Sequence, residues 1–117
     1  MTVIATTDGA WKDSTIEGMK VRQIMGPDQG AGAVTMGELD FAPGAVLPLH
    51  KHLIEEAFRI YEGTGVALVG DREIPIAVGD AILAPAGVPH GFRNDSGGQL
   101  KMTFFYPGIN AASEFVE

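Results

Sequence analysis

A chain of 117 residues is long enough for one hydrophobic core and too short for two, and 45% hydrophobic residues with 16 Gly and 7 Pro suit many short strands and tight turns better than a helical bundle. Fifteen acidic residues against eight basic ones give a formal charge of -7, with no basic run or Arg–aromatic cluster able to follow a phosphate backbone, so nucleic acid is excluded as an expected partner. The first eight residues lack the basic and apolar regions of a signal peptide, no run is long enough to span a bilayer, and there is no cysteine, so a cytoplasmic, all-β, single domain over 1–117 is expected, with no membrane association.

Residues 1–19 are polar and weakly periodic around Trp11, which is expected to pack over the edge of the fold or against a partner subunit. Met19 to Met25 alternates enough to form a first strand, and Gly26-Pro27-Asp28-Gln29-Gly30-Ala31-Gly32 is a loop by composition. A longer strand runs from about Ala33 to Phe41, and the turn at Pro43-Gly44 feeds a strand over Val46 to His52. Leu53-Ile54-Glu55 must bend the chain. Beyond it Glu56, Phe58 and Ile60 alternate against Ala57, Arg59 and Tyr61. Val66 to Val69 pairs with Glu73 to Val78 across Gly70-Asp71, and Pro75 must then sit where no ladder donor is needed. Strands follow over Ala81 to Ala84, His90 to Asn94 and Leu100 to Tyr106, the last with Leu100, Met102, Phe104 and Tyr106 expected inside. The tail beyond Pro107-Gly108 has no strand pattern and reads as a short helix or an extended arm.

Two stretches carry fixed spacings. The first, over 44–63, reads Gly44, five residues, His50-Lys51-His52, three residues, Glu56, six residues, Gly63. Histidines two apart share one face of a strand but not of a helix, so this strand can offer two imidazoles to one ion. The second, over 79–94, reads Gly79, five residues, Pro85, one residue, Gly87, two residues, His90, three residues, Asn94, and supplies a third imidazole. A lone strand histidine is more often a packed residue than a ligand. Here, however, all three histidines of the chain fall in these stretches.

The two spacings resemble both signature motifs of the cupin superfamily, with every fixed position filled. The resemblance implies an antiparallel double-stranded β-helix, or jelly-roll barrel, holding one divalent metal at the positions of His50, His52, Glu56 and His90. Family spacing also selects Glu56 over the adjacent Glu55. Three imidazoles and a carboxylate suit Fe, Mn, Ni, Co, Cu or Zn and suit Ca or Mg poorly. In an octahedral ion they leave two adjacent positions open.

Strand parity adds Phe58, Ile60, Phe92, Met102 and Phe104 as an apolar substrate pocket, with Glu38 and Tyr106 as candidate catalytic polar groups. Gly79, Asp80, Pro85, Gly87 and Asn94 are read as residues that set turns and tie loops. Arg59 and Tyr61 point outward and suggest a homodimer through that face. The leading function is a metal-dependent enzyme on a small anionic or enolisable molecule, resembling the small cupins that are most often dioxygenases. One alternative is non-oxidative decarboxylase, isomerase or lyase chemistry. Another is a non-catalytic sensor, since Trp11 with Glu17-Gly18-Met19-Lys20-Val21 and Phe41-Ala42-Pro43-Gly44 is similar to the cupin domains of zinc-binding anti-sigma factors.

Overall fold

The computed structural model describes residues 1–109 and 114–115. Among them are eleven strands, β1 (Lys12–Asp13), β2 (Met19–Met25), β3 (Thr35–Phe41), β4 (Val46–Lys51), β5 (Glu56–Glu62), β6 (Thr64–Val69), β7 (Arg72–Ala77), β8 (Ala81–Ala84), β9 (His90–Arg93), β10 (Leu100–Tyr106) and β11 (Glu114–Phe115). They form two antiparallel sheets, ordered β1-β2-β3-β10-β5-β8 and β11-β4-β9-β6-β7. A single apolar cluster drawn from both sheets fills the space between them, which is the expected all-β jelly roll. No helix of the described residues is long and apolar enough to cross a membrane.

Period-two alternation decides which side chains enter that cluster. On β5, Glu56, Phe58 and Ile60 are buried, while Arg59 and Tyr61 are exposed. On β10, Leu100, Met102 and Phe104 are buried. Their registers stack these residues in levels, Phe58 beside Phe104, Ile60 beside Met102 and Met102 beside Leu39. Phe104 can pack close over β3 because its neighbour there is Gly37, where a β-carbon would collide with the ring.

The β6–β7 hairpin turns on Gly70-Asp71 as expected, with Gly70 at φ 59°. Pro75 lies on β7, the outermost strand of its sheet, where a missing donor costs no ladder bond on the open side. The strand expected from Ala33 begins at Thr35, while His52 and Asn94 fall one residue past β4 and β9. Of the tail read as a helix or arm, Glu114 and Phe115 pair with Lys51 and His50 of β4. Residues 110–113 and 116–117 lie outside the described residues. Trp11 stacks on the Arg22 guanidinium at 4.3 Å, over the outward face of the six-stranded sheet.

Asn94 is fully buried and ties three segments together. Its amide nitrogen donates to the carbonyls of Phe41 (2.9 Å) and Gly98 (2.8 Å), and its side-chain oxygen accepts from the Ser96 amide and hydroxyl. Asp80 plays a smaller version of this part, accepting from the Ala77 amide at 2.8 Å. Both therefore tie loops, as the sequence suggested.

Replacing Asn94 with Ala leaves the buried Phe41 carbonyl without this donor. A buried polar group stranded this way costs about 1–3 kcal/mol. Urea denaturation of Asn94→Ala is expected to show a loss of about 2 kcal/mol with an unchanged m-value. A loss below about 0.5 kcal/mol, the range of ordinary surface substitutions, would contradict the assignment.

Candidate metal centre

His50 and His90 face each other across the β4–β9 ladder, with ring centroids 4.3 Å apart. His52, just beyond β4, places its ring 5.0 Å from His50 and 5.4 Å from His90. Glu56 opens β5 in the opposite sheet, so the four residues span the gap between sheets at one end of the barrel. Its Oε1 lies 3.1 Å from His52 Nε2 and 3.5 Å from His90 Nε2. One donor atom from each of the four falls within 4.8 Å of the others. Opposite ligands of an ion with bonds of about 2.1 Å stand about 4.2 Å apart, so the cluster is close to the size that one ion needs.

Two local devices aim the imidazoles. His50 Nδ1 lies 2.9 Å from the Pro48 carbonyl and His90 Nδ1 lies 3.1 Å from the Val88 carbonyl, each two residues upstream. A carbonyl can only accept, so Nδ1 carries the proton in both rings and, in the neutral form, Nε2 carries the lone pair. His90 Nε2 is buried with no hydrogen-bond partner. An orphaned acceptor of this kind is costly in an apolar interior and fits a site built to hold a cation. Three imidazole nitrogens and a carboxylate fit a divalent transition metal better than Ca or Mg.

The backbone supports this aim. A register shift between Leu47 and His50 lets both side chains point inward although they are three residues apart. Gly91 makes room for that irregularity, since a β-carbon there would strike the Leu47 and Pro48 carbonyls. Gly87, at φ 76°, forms the turn before β9 and donates its amide to the His52 carbonyl at 2.8 Å.

Beside the cluster is a cavity of about 210 Å³. Phe58, Phe104 and Tyr106 line it, the last two with near-parallel rings, 14° between planes and 6.1 Å between centroids. Its remaining walls are Met19 and Val21 from β2, Leu39 from β3 and Leu47 from β4. Larger hollows of about 350 and 700 Å³ around residues 13–20 and 42–46 contain no histidine, so the ligand chemistry singles out the smaller cavity.

Of the residues expected to form the pocket, Ile60, Phe92 and Met102 are buried but do not line this cavity. Phe92 packs edge-on against Phe58, with centroids 4.9 Å apart, and also meets Phe41. Glu38 is not brought to the cavity at all. It neighbours Thr103 and Arg22 in the ladders, and its Oε1 accepts from Arg22 Nε at 3.0 Å and lies 2.9 Å from Nη2. Tyr61 hydrogen-bonds the same carboxylate, and burial followed by that bond pushes its phenol above the usual range. Glu55 is exposed.

The chain matches the Cupin domain family over residues 37–106. It is 29% identical over 90 residues to an uncharacterized protein of Methanocaldococcus jannaschii, covering 75% of this chain and 72% of that one. Its fold is similar to that of the polyketide cyclase RemF from Streptomyces resistomycificus, with a TM-score of 0.91 and 23% identity over all of this chain and 86% of that one. It is also similar to oxalate oxidase, with a TM-score of 0.78 and 22% identity over 96% of this chain but only 62% of the other. At these identities the two structures establish the fold alone.

Burial is the largest influence on His50 and holds its imidazole below the usual range, opposed by the Pro48 hydrogen bond and reinforced by His90 and His52. With a depressed folded pKa the unfolded chain takes up the proton first, so this contribution to stability is complete above about pH 6.5 and is lost as pH falls through the folded value. The melting temperature of metal-free protein is expected to drop below about pH 6.5, and His50→Gln is expected to flatten that drop. An equally steep drop in the variant would assign the effect elsewhere.

Proposed function

This chain belongs to the cupin family, and from that premise we propose that it is a metal-dependent enzyme acting on a small anionic or enolisable molecule, with dioxygenase chemistry as the leading reaction. The observation that carries the reading is the convergence of His50, His52, Glu56 and His90 to within 4.8 Å beside a cavity. We assign these four as ligands of one divalent transition metal. When bound, such an ion supplies Lewis-acid or oxygen-activating chemistry. The polypeptide supplies the rest. The Pro48 and Val88 carbonyls fix two ring orientations, while Leu39, Leu47, Phe58 and Phe104 keep water away from the substrate side. Among the described residues of the lining, Tyr106 is the polar side chain besides the histidines and Glu56, and we propose it as the group that orients substrate or holds a proton.

The similar folds of a polyketide cyclase and an oxalate oxidase leave the reaction type open, since one fold carries many chemistries. Elemental analysis of protein prepared without added metal is expected to give about one transition ion per chain, and His50→Ala with His90→Ala is expected to abolish it. The Fe(II) protein is expected to consume oxygen only when an enol, catechol or 2-oxo acid is present. Conversion of such a compound without oxygen would replace this reading with the lyase or isomerase one, and binding without turnover would favour a sensor.

We also propose a homodimer through the outer face of the six-stranded sheet. Leu83, Ala57, Phe105, Met36 and Met25 stand side by side across five strands there, a continuous apolar row at the level of Glu56, with Arg59 and Tyr61 next to it. Leu83 retains 61% of its accessible surface. Light scattering is expected to give twice the 12.3 kDa chain mass, and Leu83→Glu to give a monomer. A monomeric parent protein at micromolar concentration would refute the dimer.

A further inference from the structure

The outer face of the six-stranded sheet changes in polarity along its strands. The apolar row of Leu83, Ala57, Phe105, Met36 and Met25 stands at the end nearest the metal centre, and β3, β5 and β10 each stop within one residue of it. At the far end Asp13, Lys20, Asp40, Lys101 and Glu62 form a row of alternating charge across β1, β2, β3, β10 and β5. A second copy that covers the apolar row can be related to the first by a two-fold axis along β10, the row's middle strand, or by one along the row itself. The axis along β10 sets Lys101 against the partner's Lys101 and Asp40 against the partner's Glu62, so like charges meet at the far end.

An axis along the row avoids this. It reverses the strand direction of the partner, so a residue two places after the row on one copy faces the residue two places before it on the other. On β5 that sets Arg59, two after Ala57, against the partner's Glu55, two before it. Both are exposed, and among the described residues neither has an oppositely charged side chain within ion-pair distance in its own chain. Packed sheets lie about 10 Å apart, a gap that an arginine and a glutamate span by extending toward each other. On the flanking strands Thr103 meets the partner's Pro107 and Ala81 the partner's Pro85, so no like charges are opposed, and the charged row passes beyond the partner's strand ends into solvent. The loop that carries Glu55 leaves Leu53 90% exposed, and the axis turns it toward the partner's Tyr61, itself 39% exposed. We propose that two copies pair about a two-fold axis along the apolar row, so that Arg59 of the partner subunit holds Glu55 in the segment between His52 and Glu56. That segment joins two of the four clustered residues, so each site takes a support from the other copy. This inference rests on the dimer reading above.

The test mixes two charge-reversed chains, each checked for folding by its melting curve. Glu55→Arg alone and Arg59→Glu alone each place like charges at both symmetry-related contacts, and each is expected to raise the dimer dissociation constant at least about tenfold in sedimentation equilibrium at low salt. Mixed in equal amounts, the two variants restore opposite charges at both contacts and are expected to form a one-to-one heterodimer about as tight as the parent dimer. With a dimeric parent, a variant that dimerises as tightly as the parent, or a mixture that associates no more tightly than its components, would overturn the axis and leave the dimer reading standing. A monomeric parent would overturn both.

Discussion

The site depends on one short-range interaction used twice. His50 and His90 each donate Nδ1–H to a carbonyl two residues upstream, Pro48 in one case and Val88 in the other. Pro48 lies within the register shift of β4 and Val88 just before β9, so in each case the carbonyl that orients the ring belongs to the same run of backbone as the ring itself. The consequence is tautomeric as well as geometric. Each bond selects the neutral form whose lone pair is on Nε2, and it fixes the ring so that this lone pair faces the other sheet. Glu56 meets it from there at 3.5 Å from His90 Nε2. Opposing sheets thus contribute unlike donor groups, and the barrel brings them together.

That arrangement needs an irregular strand. A regular β4 would put Leu47 on the face opposite His50 and His52. The register shift between Leu47 and His50 instead turns Leu47 inward, so β4 and the residue after it provide two imidazoles and part of the cavity wall. Pro48 lies within the shift, exposed, where its missing amide is easily accommodated. Gly91 on the facing strand leaves space for its carbonyl. A side chain at position 91 would push on the acceptor that orients His50, so a small residue well away from the ligand atoms controls their aim.

Much of this was legible in the sequence, for physical reasons that also mark where reading stopped. Parity along β5 placed Glu56, Phe58 and Ile60 on one face because that strand is regular through those residues. Parity identifies a face and gives no height along the barrel. Ile60, Met102 and Phe92 therefore share the inward face with the site yet lie among the packed core. Height is set by cross-strand register, which turn lengths and bulges far apart in sequence determine. The same limit hid Met19, Val21 and Leu39, whose alternation marks them as inward but whose level follows only from the β2–β3 and β3–β10 registers. Leu47 was hidden by the irregularity of its strand. Glu38 shows the reverse error, for its neighbours Leu39 and Phe41 point inward and alternation along β3 turns it out.

The position of Glu38 has its own consequence. Arg22 and Glu38 form a largely buried ion pair on the outer face, capped by Trp11 and joined by Tyr61, so a strong cation and a strong anion are matched outside the cavity. Had either side chain pointed inward, the cavity would carry a second fixed charge to compete with the ligand cluster. With both outside, Glu56 is the carboxylate and Tyr106 the phenol of the lining among the described residues. Charges act more strongly across such low-polarity surroundings than in water, because little solvent is present to screen them. The chain therefore contributes chiefly shape, exclusion of water and the aim of four donor atoms, with few groups of its own to move protons. A fold that varied its wall residues while keeping the two carbonyl–histidine bonds could change what it binds without disturbing how the four donors are held.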